Sequence, residues 1–360
     1  IRPARAAAPG AFSGFTLQGV FDFSDRHFKK VFSLMVPSVL GLVVFQLNLW
    51  VITSIASLLS AGSITIFNLA NHLQFLPIGI IGYSFATAAM PSFAESVSRA
   101  KLERLGEELT KTIRMVLFFV VPISVLIFVL RAHIVRLVLG TGEFSWDDTR
   151  LTAAVLGIFS FGIFAHSLIP LFSKAFYAMQ NTKTPVIINS IGFFINIALS
   201  VFFVFVLFKD PKTSAAISDF LDMRGIENIP LLGLPLAFSI AGIVNSVILF
   251  CALKKDMHGL EGASLYLAGF KILTASIISG LAAYGTLFLV EPAVATDVGL
   301  GLLLQAGVAA FAGGIAYIIV MLILRSSELF SFLNILKGKI RLSSFFHENV
   351  PNGAQTIDKN

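Results

Sequence analysis

Cysteine is almost absent. Cys251 is the single one in 360 residues, which excludes an intrachain disulfide framework. Charge is scarce as well. Asp, Glu, Lys and Arg together make 13% of the chain, against about 25% in soluble domains. Signatures of soluble enzymes are missing: there is no Walker loop, dinucleotide fingerprint, HExxH or paired-cysteine metal site. No repeat of 20–50 residues is evident, and no signal peptide with a cleavage site is visible. No carboxylate stands well inside an apolar run, which argues against a drug-cation exporter. Apolar residues fill the space, at 56% with 36 Phe and a mean hydropathy of +0.87. This composition excludes a cytoplasmic enzyme, a disordered chain and a collagen-like chain, and points to a multi-spanning membrane protein. The net charge of +6 fits cytoplasmic loops better than nucleic-acid binding. The first residue is Ile, and a start further upstream is expected.

A bilayer core of about 30 Å needs about 20 apolar helical residues. Eight runs qualify, near 31–58, 62–94, 112–131, 151–178, 185–208, 231–253, 266–290 and 299–324. A β-barrel would show segments of about ten alternating residues instead. The expected fold is therefore an all-α polytopic membrane protein with eight transmembrane helices. With the N-terminus inside, twenty of the 26 Lys and Arg fall in cytoplasmic segments and six in outer ones. The positive-inside rule then puts both ends of the chain in the cytoplasm.

Ser24 and Asp25 can cap a leading helix. Residues 95–111 read as an interfacial helix of mixed charge. A short helix is expected around Ala215–Met223. Asp147 and Asp148 are a poor acid–base pair and read as helix-start residues.

The second run carries the most informative polar pattern. Thr65, Asn68 and His72 stand at i, i+3 and i+7 on one helical face, with Asn71 and Gln74 beside the stripe. Pro77 breaks the hydrogen-bond ladder after it. Gly79, Gly82 and Ala86 offer a small-residue face for another helix. Pro91 and Pro185 join Pro77, Gly79 and Gly82 as candidate hinge or packing positions. The stripe reads as a cavity wall that meets a hydrophilic substrate group. Its alternative is interhelical hydrogen bonding that only holds the bundle together. For Gln46, Asn48, His166, Asn189, Asn196 and Asn245, packing is the better reading. No catalytic residue, metal ligand or cofactor site is expected.

Three segments resemble one family. Residues 60–99, containing FNLANHLQFLPIG, are similar to the eighth helix of the MurJ/MviN lipid II flippases. The stretch GTGEFSWDDTRLTAAVL is similar to that family's loop before its tenth helix. FYAMQNTKTPV is similar to its turn between helices ten and eleven. The resemblance spans about Ser24 to Arg325. It implies helices seven to fourteen of a fourteen-helix fold, in the superfamily of multidrug, oligosaccharidyl-lipid and polysaccharide exporters. The first six helices would be missing, so the chain is expected to be an N-terminally truncated fragment.

By that resemblance, residues 1–27 are a cytoplasmic or interfacial lead and 28–254 are the six-helix C-terminal lobe. Residues 255–324 are two further spans forming a groove for the lipid tail, and 325–360 are a cytoplasmic tail. It implies a flippase of the bacterial inner membrane that carries lipid II, the lipid-linked peptidoglycan precursor, by alternating access. The substrate would be lipid II or a similar polyprenyl-diphosphate glycolipid, met by Thr65, Asn68, Asn71, His72 and Gln74. Membrane lipids and a missing N-terminal or partner lobe would be its partners. His72 takes the place of a family arginine thought to meet the diphosphate. Histidine has no guanidinium fork and titrates near neutral pH, so anion capture would be weaker or pH-dependent. Phe75 and Asn181 also depart from the family pattern. An exporter of another polysaccharide-lipid or drug, or a transport-inactive scaffold for cell-wall synthesis, are the alternatives.

Overall fold

The computed structural model describes residues 26–139, 146–220, 228–257, 259–260, 262–290 and 299–334. Among these there is no strand. The expected cap at Ser24 and Asp25 lies outside the described residues, as do residues 335–360 of the tail.

All eight apolar runs fall on helix. They are α1 (Arg26–Ser57), α2 (Ser63–Pro77) continued by a π-helical turn (Ile78–Tyr83) into α3 (Ser84–Ser98), and α4 (Leu102–Leu139). There follow α5 (Trp146–Ser160), α6 (Ile163–Ala178), α7 (Lys183–Phe202) with a π-helical end, the short α8 (Pro211–Phe220), α9 (Gly233–Asp256), α10 (Gly262–Val290) and α11 (Gly299–Ile323). Six of these helical stretches are long and apolar enough to cross a bilayer, and the α5–α6 pair makes a seventh if read as one bent span. The first run lies on α1, 32 residues long, or about 48 Å at 1.5 Å per residue.

The run 151–178 is not one straight helix. α5 and α6 meet at 47°, across Phe161 and Gly162. The chain tightens there, with Gly162 N–H donating to Phe159 O. The carbonyl of Ile158, which already accepts from Phe161 N–H, accepts also from Ser239 Oγ of α9 at 3.2 Å. Gly162 permits that approach, because a Cβ would sit 2.8 Å from Ser239 Oγ.

Residues 95–111 do not form a single interfacial helix. α3 ends at Ser98, Ala100 turns the chain with φ +55°, and α4 begins at Leu102. The charges pin this hairpin: Glu108 accepts from Ser92, Ser96 and Arg104. α8 starts four residues ahead of the sequence expectation. Asp210 Oδ2 accepts from Thr213 N–H at 3.1 Å, and Pro211 fits the first helical position. Asp147 and Asp148 lie in the first turn of α5, where acids complement the helix dipole.

Two large apolar cores hold the helices together, and a smaller third, around Phe118, Ile272 and Tyr317, joins α4 to α10 and α11. One of the large cores gathers Phe67 of α2, Phe159 of α5 and Phe238 of α9, with edge-to-face rings 5.5 and 5.6 Å apart. The other joins Ile78, Phe93, Leu109, Phe172 and Leu249. α10 and α11 lie against each other and reach the rest chiefly through α4. Small residues set that contact. Ser279 Oγ donates to Gly313 O at 2.8 Å, and a Cβ on Gly280 would meet Val125 at 2.6 Å. Below this seam, Arg114 of α4 pairs with Glu328 at 2.5 Å and donates to Ser264 Oγ at 2.8 Å. Tyr317 O–H donates to Phe118 O at 2.7 Å.

Candidate functional site

Pro77 is buried within the helix and has no N–H to give. The π-helical turn follows at once, the wide geometry that absorbs such a break. This rod packs on α5, α6 and α4, with a smaller contact to α1. Ile66, Phe67 and Ala70 are buried there.

The five polar residues of the second run divide between two faces. Thr65 and His72 are exposed and Asn68 is half-buried between them, so the stripe does share a face, and the described residues leave it largely uncovered. Asn71 and Gln74 point the other way and are buried, 6% and 0% exposed. Gln74 Nε2 donates to Asn71 Oδ1 at 2.8 Å. Gln74 Oε1 is buried with no hydrogen-bond partner among the described residues. The two amides brace the helix from within and do not stand beside the stripe as surface groups.

The small-residue contact also differs in detail. A Cβ on Gly82 would meet the Ser167 Cα and O at 2.8 Å, and Ala86 is buried. Gly79 faces open space instead, because the wide turn spreads positions that an α-helix would align. Pro91 is exposed inside α3. Pro185 is buried in the first turn of α7, where proline fits without a bend. The turn before it is held by Asn181, whose Oδ1 accepts from Thr184 N–H at 3.1 Å.

A second constellation, expected to serve packing, lines open space. A cavity of about 470 Å³ opens between α1, α6, α7, α9 and the π-helical turn. Asn196 Nδ2 donates to Asn48 Oδ1, and Asn245 Nδ2 to Asn189 Oδ1, both at 2.9 Å. His166 stacks on Phe238 with centroids 4.1 Å apart and lies 3.2 Å from its carbonyl. Gly242 leaves room for the ring, since a Cβ would lie 2.2 Å from Nε2. Lys174, Tyr83 and Tyr177 also line the cavity. Asn189, Gly192 and Asn196 stand at helical spacing on the α7 wall of this cavity. Asn48 and Asn245 are isolated on their helices, so no pattern linked them. Among the described residues no group of three His, Cys, Asp or Glu is placed to hold a metal.

Such a molecule can present hydroxyl and amide donors and an imidazole along an open helix face. That suits a polar, hydrogen-bonding ligand.

Comparison with known proteins is consistent with this geometry. A probable lipid II flippase MurJ of Rhizobium tropici is 28% identical over 252 residues, covering 70% of this chain and 43% of that protein. One from Buchnera aphidicola subsp. Schizaphis graminum is 33% identical over 184 residues, covering 51% of this chain and 36% of that protein. This chain thus spans less than half the length of these curated relatives. A solved lipid II flippase MurJ in an inward closed conformation aligns with a TM-score of 0.61 at 25% identity, covering 83% of this chain and 54% of that one. A MATE structure in complex with MaD3S shares the fold alone, with a TM-score of 0.50 at 13% identity over 81% of this chain and 65% of that one. The family model for the lipid II flippase MurJ matches residues 7–297, most of the chain, and this multi-pass membrane protein therefore belongs to the lipid II flippase MurJ family.

Proposed function

We propose that this chain forms one wall of a transporter that carries lipid II across the bacterial inner membrane by alternating access. The observation that supports it is the polar stripe of Thr65, Asn68 and His72 on an uncovered face, in a chain of this family. The headgroup slides along that face and exchanges water for hydroxyl, amide and imidazole contacts. The polyprenyl tail stays in hydrocarbon, which avoids about 0.8 kcal/mol for each CH₂ moved into water. Asn71 and Gln74 position the stripe from behind and do not touch substrate. Pro77 and the π-helical turn are the hinge about which the face tilts.

Residues 28–254 act as the moving lobe, and residues 255–324 as the pair that guides the tail. The excess of cytoplasmic Lys and Arg supports both ends inside. An open face needs an opposing wall, supplied by a further lobe or partner. Residues 1–360 alone are therefore expected not to flip lipid. Reconstitution in proteoliposomes, with lipid II in the outer leaflet read by an impermeant cleaving enzyme, tests this. Flipping by residues 1–360 alone would refute the need for an opposing wall. Loss of flipping on Thr65→Val with Asn68→Leu, in the protein with its opposing wall, is the expected result.

A further inference from the structure

A second cavity, of about 370 Å³, lies at the other end of α4 from the Arg114–Glu328 pair. Arg114 and Arg136 are 22 residues apart on that helix, about 33 Å at 1.5 Å per residue. The cavity therefore sits one bilayer thickness away, at the level of lipid headgroups. It is walled by α4, α5, α10 and α11. His133, Arg136 and Arg150 face it, and none of its described lining residues is Asp or Glu. The Arg136 guanidinium rests over Trp146, 5.1 Å from the ring centroid, which holds its fork in place.

One lining group points to more than a bare anion. Gln305 of α11 is 3% exposed, and its Oε1 is buried with no hydrogen-bond partner among the described residues. A buried acceptor left without a donor is destabilising. It asks for an O–H or N–H donor from whatever fills the cavity. The outer lip is apolar. Phe288, in the lining, is 73% exposed, a surface suited to acyl chains.

We propose that this cavity binds an anionic phospholipid whose headgroup carries a hydroxyl, of the phosphatidylglycerol class. The phosphate takes the Arg136 fork, with His133 and Arg150 beside it. A headgroup hydroxyl donates to Gln305 Oε1. The acyl chains run over Phe288 and the exposed flank of α10 and α11. A guanidinium fork and neighbouring cationic side chains suit a phosphate bidentately. The site is separate from the stripe of Thr65, Asn68 and His72 and does not depend on the transport reading.

The test is native mass spectrometry of the full chain in detergent with equal phosphatidylglycerol and phosphatidylcholine. The zwitterionic choline lipid carries its own cation and is the control. Retention of phosphatidylglycerol over the control by about tenfold is expected, with that preference lost in Arg136→Gln, since one charge-assisted contact is worth that much. Arg136→Lys keeps the charge without the fork and should retain part of it. Gln305→Met should weaken phosphatidylglycerol but leave phosphatidic acid, which has no headgroup hydroxyl, unchanged. Equal retention of the two lipids, or a preference unmoved by Arg136→Gln in a variant with the native circular dichroism, would overturn the site. Displacement of the lipid by millimolar inorganic phosphate would overturn the assignment to a lipid.

Discussion

The Arg114–Glu328 pair ties the end of the chain to α4, and its removal has a calculable asymmetry. The side chain of Glu328 is 4% exposed and that of Arg114 is 23%. Arg114→Ala strands a carboxylate that water can barely reach, leaving it chiefly the serine hydroxyl of Ser326. Glu328→Ala leaves an arginine that keeps Ser264 and Ser327 as acceptors and can extend toward the headgroups. Losing one partner of a fully buried pair costs about 3–5 kcal/mol, and the part-exposed arginine lowers this to about 2–3 kcal/mol for Arg114→Ala. Glu328→Ala should cost about 1 kcal/mol less than that, since no buried carboxylate remains. The double variant should fall short of additivity by about 1.5–2 kcal/mol. Unfolding in mixed detergent micelles, followed by circular dichroism, measures all four corners of the cycle. Strict additivity within about 0.5 kcal/mol, or a larger loss for Glu328→Ala than for Arg114→Ala, would refute the assignment.

Glu328 also gives a pH dependence. Burial acts to raise its carboxyl, but hydrogen bonds from Ser326, its own backbone and Arg114, with the Arg114 charge, together hold it below its ordinary 4.5. A depressed carboxylate stabilises the fold above the unfolded value, and that contribution is lost as pH falls below 4.5. Protection of residues 326–334 from protease should fall over that acid range in the native protein and show no such step in Glu328→Gln. Gly82→Ala would drive a Cβ into the Ser167 backbone at 2.8 Å. It should cost about 1–3 kcal/mol by overpacking, read as a lower melting temperature in detergent, whereas Gly79→Ala, in open space, should be near neutral. Asn48→Leu deprives Asn196 of its acceptor and should cost about 0.6–1.7 kcal/mol, partly recovered in Asn48→Leu with Asn196→Leu. Equal stability of the single and double variants would show the pair to be unimportant.

The sequence made some of this legible. Long apolar runs mark helices because a lipid-exposed segment must satisfy its backbone internally, and all eight runs are helical. The stripe of Thr65, Asn68 and His72 follows from helical period alone. Asn71 and Gln74 flank the stripe in sequence, and their burial behind it shows only once α2 is packed. The break at Gly162 depends on Ser239 reaching Ile158 O across 81 residues, which no local pattern announces. Asn48 meets Asn196 across 148 residues, and Arg114 meets Glu328 across 214. Each of these partners looks isolated until the helices are packed. The resemblance to the flippase family supplied the order of helices, but not where each amide points.

The central claim is that the open polar face of α2 carries the headgroup. The most direct test is the rate at which lipid II reaches the outer leaflet, in cells whose only flippase is the protein this chain belongs to, as its gene encodes it. His72→Ala with Asn68→Ala should slow that rate at least tenfold while membrane levels of the protein hold. Leu73→Ala, off the stripe, should not. An unchanged rate in the double variant would contradict the claim.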